Sequence, residues 1–336
     1  MKRTLFALAA VAAGATVFSV APAHAQQKTY TMKFGFVTIN DSTHRMGNWV
    51  KEKLEARSQG RLKVEIYPAG QLGTVPRQVE GLLLGTQEAF GIVPGFMVGL
   101  SRSFMVTDAP GLFDSIAHQH RAVNQEPFRT RFLTQAVGKG ILGNAMWSCG
   151  DTAIATLTPF RKLEDLKGKK LRVLASPLER AAVEKMGATG VPMPFTEVLP
   201  ALQQRVIDGV RTGMIVMYPS KFYTVTKYAT LTGGAHIVCA QFLSANWMKS
   251  LPADLREMIE EAGREVTPIV GRWGEEMTRE AEKKWAEVGG EIIRLSDEDQ
   301  AELRKRLSPI AEDILGKDPQ TAEMYAELKK AVAATR

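Results

Sequence analysis

Four basic residues crowd one short run, Lys167, Lys169, Lys170 and Arg172. Only Arg172 alternates in phase with a strand, between apolar Leu171 and Val173. A guanidinium that projects from a central strand into a cleft receives a planar anion. Its fork of donors meets a carboxylate through two parallel, charge-assisted hydrogen bonds. The same alternation also describes a surface strand carrying a solvated arginine, and this window alone leaves both readings open.

Other chemistry-bearing residues give weaker signals. His44 follows Asp41-Ser42-Thr43 at the start of a helix, where it either touches a ligand, serves the helix start or is solvated. His118 and His120 stand two apart on a helical stretch, so their rings point away from each other and no metal pair is expected. Glu164-Asp165 reads as a solvated helix end, and Glu275, Glu276 and Glu280 with Lys283 and Lys284 as a charged helix face. The sequence contains no Gly-x-Ser-x-Gly elbow, no His-Glu-x-x-His, no Walker A lysine and no glycine-rich dinucleotide turn. No enzyme, cofactor or metal site is therefore expected. Cys149 and Cys239 each lie on apolar, strand-like segments. They are either bridged neighbours in one sheet or two separate buried thiols.

The elements that must position Arg172 follow a βαβαβ order at the start of the chain. Tyr30 to Thr38 alternates as a strand, Met46 to Ser58 is helical, and Leu62-Val64-Ile66 alternate as a second strand. A helix from Pro76 to Leu84 and a strand from Phe90 to Val93 follow. This order predicts a parallel sheet with crossover helices. Leu112 to Ala136 reads as mostly helical, and Ile141 to Ser148 as a long strand that Thr152 to Thr156 continues. Next come a strand at Leu171 to Val173, a helix at Pro177 to Met186 and a helix at Phe195 to Gln204. Gly213 to Met217 reads as a strand and Ala235 to Leu243 as a second long apolar strand. From Ala253 to about Val288 the signal is almost all helix, with Pro268 and Gly271 expected to bend it. Ile292-Arg294 and helices from Asp297 and Thr321 complete the chain.

The first residues set the compartment. Lys2 and Arg3 precede an apolar stretch from Leu5 to Val20, then Ala23-His24-Ala25, the pattern of a secretory signal peptide cleaved near Ala25. The apolar stretch is too short for a membrane span, and no cysteine follows it for lipid attachment. The expectation is an exported, periplasmic protein. The 43 basic residues less Lys2 and Arg3 leave 41 against 36 acidic ones, a mild excess scattered along the chain. Without a basic run interleaved with aromatics, nucleic acid is not an expected partner. The length of 336 residues and the 45% hydrophobic content suit two cores.

Several ordered segments carry a family resemblance. They are Tyr67-Pro68-Ala69-Gly70-Gln71-Leu72-Gly73, the run Leu163 to Val173, Glu197-Val198-Leu199-Pro200-Ala201-Leu202-Gln203 and Val206-Ile207-Asp208-Gly209. Lys227-Tyr228 and Leu251-Pro252-Ala253-Asp254-Leu255-Arg256 extend the match. Together they resemble the solute-binding proteins of tripartite ATP-independent periplasmic (TRAP) transporters, of the dicarboxylate-binding type. The resemblance implies an α/β fold of two domains, with crossing strands at the hinge and a long kinked helix spanning both. Domain I is expected at 26–149 plus 238–277, and domain II at 150–237 plus 278–331. The ligand would lie between the domains, a small organic acid passed by a monomeric receptor to the two integral membrane subunits. By resemblance, Arg172 grips the ligand carboxylate and Phe195 packs on the ligand.

Two departures from the family pattern shape the expected ligand. Thr212 stands where many members carry Asn, and its hydroxyl still offers one hydrogen bond. Asp151 stands where many carry a second arginine, and an anion there would repel a second carboxylate. A monocarboxylate with an apolar, aromatic, hydroxylated or amino far end is therefore expected, rather than a C4-dicarboxylate. Trp147, Tyr218, Met214, Phe96 and His44 are the further candidates for the ligand cavity. A receptor for an ATP-driven importer or a sensor, and a secreted hydrolase or lyase using Asp151 and His44, are the rival readings.

Overall fold

The computed structural model describes residues 28–336. The signal peptide expected at 1–25 lies outside the described residues, as does its cleavage site. The described chain builds one mixed, nine-stranded sheet shared by two α/β lobes. The strands are β1 (Tyr30–Phe36), β2 (Leu62–Tyr67), β3 (Ala89–Ile92), β4 (Ile141–Thr156) and β5 (Lys170–Val173). They continue with β6 (Thr189–Pro192), β7 (Gly209–Gly213), β8 (Tyr228–Ser244) and β9 (Glu291–Arg294). Their order is β2-β1-β3-β8-β4-β7-β5-β6, with β9 pairing parallel to the Tyr228–Leu231 end of β8.

The parallel β2-β1-β3 unit realises the βαβαβ pattern at the start of the chain. Helix Ser42–Arg57 buries Met46, Val50 and Leu54, four apart, against this sheet. Asp41 begins that helix in an extended conformation, its side chain accepting from the His44 amide. The second lobe repeats the logic with parallel pairs β5–β6 and β5–β7 around helix Pro177–Lys185.

The long strands β4 and β8 pair antiparallel and join the lobes. Ile141–Ser148 of β4 faces Val238–Ser244, while its other end, Ala153–Thr156, faces Tyr228–Leu231. The register shifts between Ser148, Asp151 and Ala153. Gly150 sits in that irregularity at φ +88°, a conformation glycine adopts without steric cost. The crossing is thus two continuous strands with a kink.

Helix Ala253–Glu287 runs for 35 residues and contains Pro268. It packs on β4 and helix Ser42–Arg57 at one end and on the turn Met214–Met217 and β9 at the other. A Cβ at Gly274 would lie 2.8 Å from the Ser148 carbonyl oxygen, so glycine lets this helix approach the crossing strand.

Two elements differ from the sequence expectations. Gly213 to Met217 is not a strand. The strand is Gly209–Gly213, and Met214–Met217 turns into a helix. All four apolar residues of that turn are buried, and a continuous apolar run has no period to separate strand from helix. The helical stretch at 112–136 divides into Ile116–Val123 and Phe128–Thr134, because Pro127 stands between them without an amide proton to continue the ladder. Cys149 and Cys239 are disulfide-bonded, with 5.8 Å between their Cα atoms, so the bridged alternative holds. The bridge ties β4 to β8 beside the kink.

Candidate functional site

Arg172 is fully buried on β5. Its strand partner on β7 is Val210, so Thr212, two residues on, projects from the same sheet face. Arg211 projects from the opposite face and pairs with Glu179 on helix Pro177–Lys185. The alternation therefore sends one arginine of the second lobe to the cavity and the other to a structural ion pair.

The Arg172 Nε donates to the Met193 carbonyl at 3.2 Å. Its two terminal nitrogens have no hydrogen-bond partner among the described residues. The guanidinium carbon lies 5.7 Å from the centroid of the Phe195 ring, close enough for a cation–π contact. Burial lowers its pKa to about 10, with Glu179 acting in the opposite sense, and it stays charged at neutral pH. A charged fork, oriented at its Nε and shielded from bulk solvent at its tip, is set up to take a two-oxygen acceptor.

The fork opens on a small cavity between the lobes. Its walls come from both lobes. Val37, Thr38, Asp41 and Thr43 line it from β1 and the following helix start, and Gly91 to Val93 with Phe96 from β3 and the next turn. The second lobe contributes Arg172, Leu174, Phe195, Thr212 and Val216. The Cys149–Cys239 bridge and Ile237 form the remainder, at the crossing strands. The lining is mostly apolar, with polar groups at a few points, as ligand cavities usually are. The described residues contain no group of three or more acidic, His or Cys side chains able to hold a metal ion.

Arg172, Thr212, Phe195 and Phe96, all singled out in the sequence, thus meet in one cavity. The other five stand elsewhere. Trp147 is wholly buried in the first lobe's core, and Met214 packs in the core around Trp285. Tyr218 stacks on Tyr223, 5.3 Å between centroids, beside a separate surface pocket with Lys284. The His44 Nδ1 accepts from the Asn40 amide at 3.1 Å, so the ring serves the helix start. Asp151 is 45% exposed and pairs with Nδ1 of His236, whose Nε2 lies 3.2 Å from the Phe113 carbonyl oxygen.

The acid in the cavity wall is instead Asp41, 1% exposed. Its Oδ1 accepts from the His44 amide at 3.0 Å. Burial raises its pKa, while hydrogen bonds from Thr38 and His44 oppose the rise. In the sequence this residue looks like any helix cap. Its second use, in the wall of the cavity that Arg172 also lines, depends on two lobes meeting, which local pattern does not encode. Thr38 and Thr43 are further polar groups in the wall, beside the disulfide.

Comparisons with known proteins agree with this architecture. The family model described as bacterial extracellular solute-binding protein, family 7, matches residues 36–318. The 2,3-diketo-L-gulonate-binding periplasmic protein of Escherichia coli is 28% identical over 319 residues, covering 93% of this chain and 94% of that protein. The C4-dicarboxylate-binding periplasmic protein of Rhodobacter capsulatus is 29% identical over 327 residues, covering 95% and 96%. Among solved structures, a TRAP periplasmic solute-binding protein from Shewanella oneidensis with bound succinate superimposes with a TM-score of 0.84 at 27% identity, covering 92% of this chain and 100% of that one. The sugar acid binding protein of Advenella mimigardefordensis in complex with galactonate gives 0.87 at 25% identity, covering 92% and 99%.

Proposed function

The chain belongs to the bacterial extracellular solute-binding proteins of family 7, the receptors of TRAP transporters, and on that premise we propose that it captures a small organic acid between its lobes and delivers it to integral membrane subunits. Such a protein is a receptor and not an enzyme. One observation carries the ligand class. A fully buried, charged guanidinium presents two unpartnered terminal nitrogens to a largely apolar cavity. An unpaired buried charge is costly, and a ligand carboxylate removes that cost. The similar proteins named for acids, or solved with them bound, support the same class.

Within that class the reading favours a monocarboxylate. Arg172 is the only cationic residue among those lining the cavity, and Asp41 the only acidic one. A second carboxylate beside Asp41 would need to bring a proton with it, because two like charges cannot both ionise cheaply in a buried site. Thr212 would add one hydrogen bond and Phe195 would pack on the ligand. The domains are read as 26–149 with 238–277 and 150–237 with 278–331. They would close about the kinked crossing strands, expelling water and strengthening the carboxylate bonds. A thermal-shift screen over organic acids tests the reading, since a bound ligand raises stability by mass action. Hits among monocarboxylates, lost in Arg172→Ala, are expected. Hits that persist in Arg172→Ala would refute the clamp.

A further inference from the structure

An apolar groove adjoins the cavity around Arg172. It lies on the far side of Phe96, open along the seam between the lobes. Val79, Leu83 and Leu100 form one wall, and Ala175, Pro192 and Met193 the other. Glu80 is the only charged residue among those lining it, and it is exposed. A contiguous apolar surface of this kind on a water-exposed seam calls for an occupant.

Three features join the groove to the cavity and say what covers it. Phe96 is half-buried and lines both spaces. Met193 lines the groove while its carbonyl holds the Nε of Arg172. Leu174 and Phe195 line the cavity, and their chain neighbours Ala175 and Pro194 line the groove. The two spaces therefore lie next to each other, with the side chain of Phe96 between them. Charge falls off along the same path, from the guanidinium to an almost uncharged groove.

We propose that cavity and groove form one binding site for a monocarboxylate whose apolar body passes Phe96 and lies in the seam groove. The proposal rests on Arg172 as the carboxylate clamp and adds the chemistry of the far end of the ligand. The apolar body gains by leaving water, and the groove gains a cover when the lobes close on it. Because both lobes form the groove, such a ligand contacts them together and favours the closed state over the open one.

Calorimetry on the full protein with saturated straight-chain monocarboxylates, from acetate to decanoate, tests this. Affinity should rise by about 3- to 4-fold for each methylene that enters the groove, the usual value of a buried methylene. Val79→Asp on one wall and Pro192→Asp on the other should each flatten that rise, read as the ratio of decanoate to propanoate affinity within each variant. Circular dichroism and a cooperative thermal unfolding transition report that both variants are folded. Equal affinity for propanoate and decanoate, or a length dependence that survives both variants, overturns the groove while the clamp stands. Binding of all acids unaffected by Arg172→Ala overturns the clamp, and the combined site with it.

Discussion

The guanidinium of Arg172 sits 5.7 Å from the ring centroid of Phe195, its Nε tied to the carbonyl of Met193 and its two terminal nitrogens unpaired among the described residues. The ring and the carbonyl fix the direction of the fork before any ligand arrives. A pre-oriented donor pair loses little rotamer freedom on binding, which is how arginine holds a carboxylate tightly.

Arg172→Ala should therefore weaken acid binding by about 3–5 kcal/mol, because the ligand carboxylate is left buried without its partner. Arg172→Lys keeps the charge but loses the fork and should fall between Ala and wild type. Titration calorimetry with an acid found by thermal shift measures both. Equal affinities for wild type and Lys would mean that charge alone is read.

Asp41→Asn should change selectivity more than strength. With the acid gone, affinity for a dicarboxylate should rise relative to the monocarboxylate of the same length. In the wild type the gap should narrow as pH falls, because burial raises the Asp41 pKa and protonation removes the repulsion. Competition between the two ligands at several pH values measures this. A gap independent of pH in the wild type would remove Asp41 from the account.

Asp108 gives a pH dependence of stability. Burial, reinforced by Glu179, raises its pKa to about 8, while Ser176 and Arg211 oppose the rise. A raised acid binds more protons folded than unfolded between its ordinary value and about 8. Its stabilising contribution is complete below the ordinary aspartate range and declines as pH rises through about 8, by at most about 1.4 kcal/mol per pH unit. Asp108→Asn should flatten the fall in Tm across that window. Parallel Tm curves for wild type and variant would contradict this.

The disulfide fixes the crossing strands. Cys149 and Cys239 are separated by 90 residues, and opening the bridge should cost about 2–4 kcal/mol. The wall between Thr43 and Ile237 should loosen with it, because Thr43 Oγ1 lies 3.9 Å from the Cys149 sulfur. Reduction should lower both Tm and acid affinity, and Cys149→Ser with Cys239→Ser should reproduce the effect.

Gly274→Val tests the approach of the long helix to the crossing strand. A side chain there meets the Ser148 carbonyl, and backbone cannot move as a flexible side chain can. A loss of about 1–3 kcal/mol is expected from overpacking. Denaturant unfolding reads it, and an unchanged midpoint would show that the helix can shift.

Much of this molecule is legible in its residue order. The period-two runs at Tyr30 and Leu62, the short strand at Phe90 and the helices between them specify the first parallel unit. The residues from 253 to 288 announce the long helix, because their apolar positions repeat on one face without a stop until Gly289-Gly290. The phase of Arg172 against Leu171 and Val173 gives its side of the strand, and the ordered family segments imply the role proposed for it. These are local or pairwise regularities, and a chain carries them whatever its neighbours do. The turn at Met214–Met217 was not legible, since a run buried on every side has no period.

Tertiary structure alone decided who faces Arg172. Asp151 and Trp147 stand on β4, close in sequence to the hinge, yet one turns out to His236 and the other into the first core. Asp41 is far away in sequence and enters the cavity wall because two lobes converge there. The bridge between Cys149 and Cys239 depends on the register of two long strands in the same way. Strand alternation fixes which side of a sheet a residue takes. Which residues meet across the gap between two sheet halves is set by their packing, and that packing is a property of the whole chain.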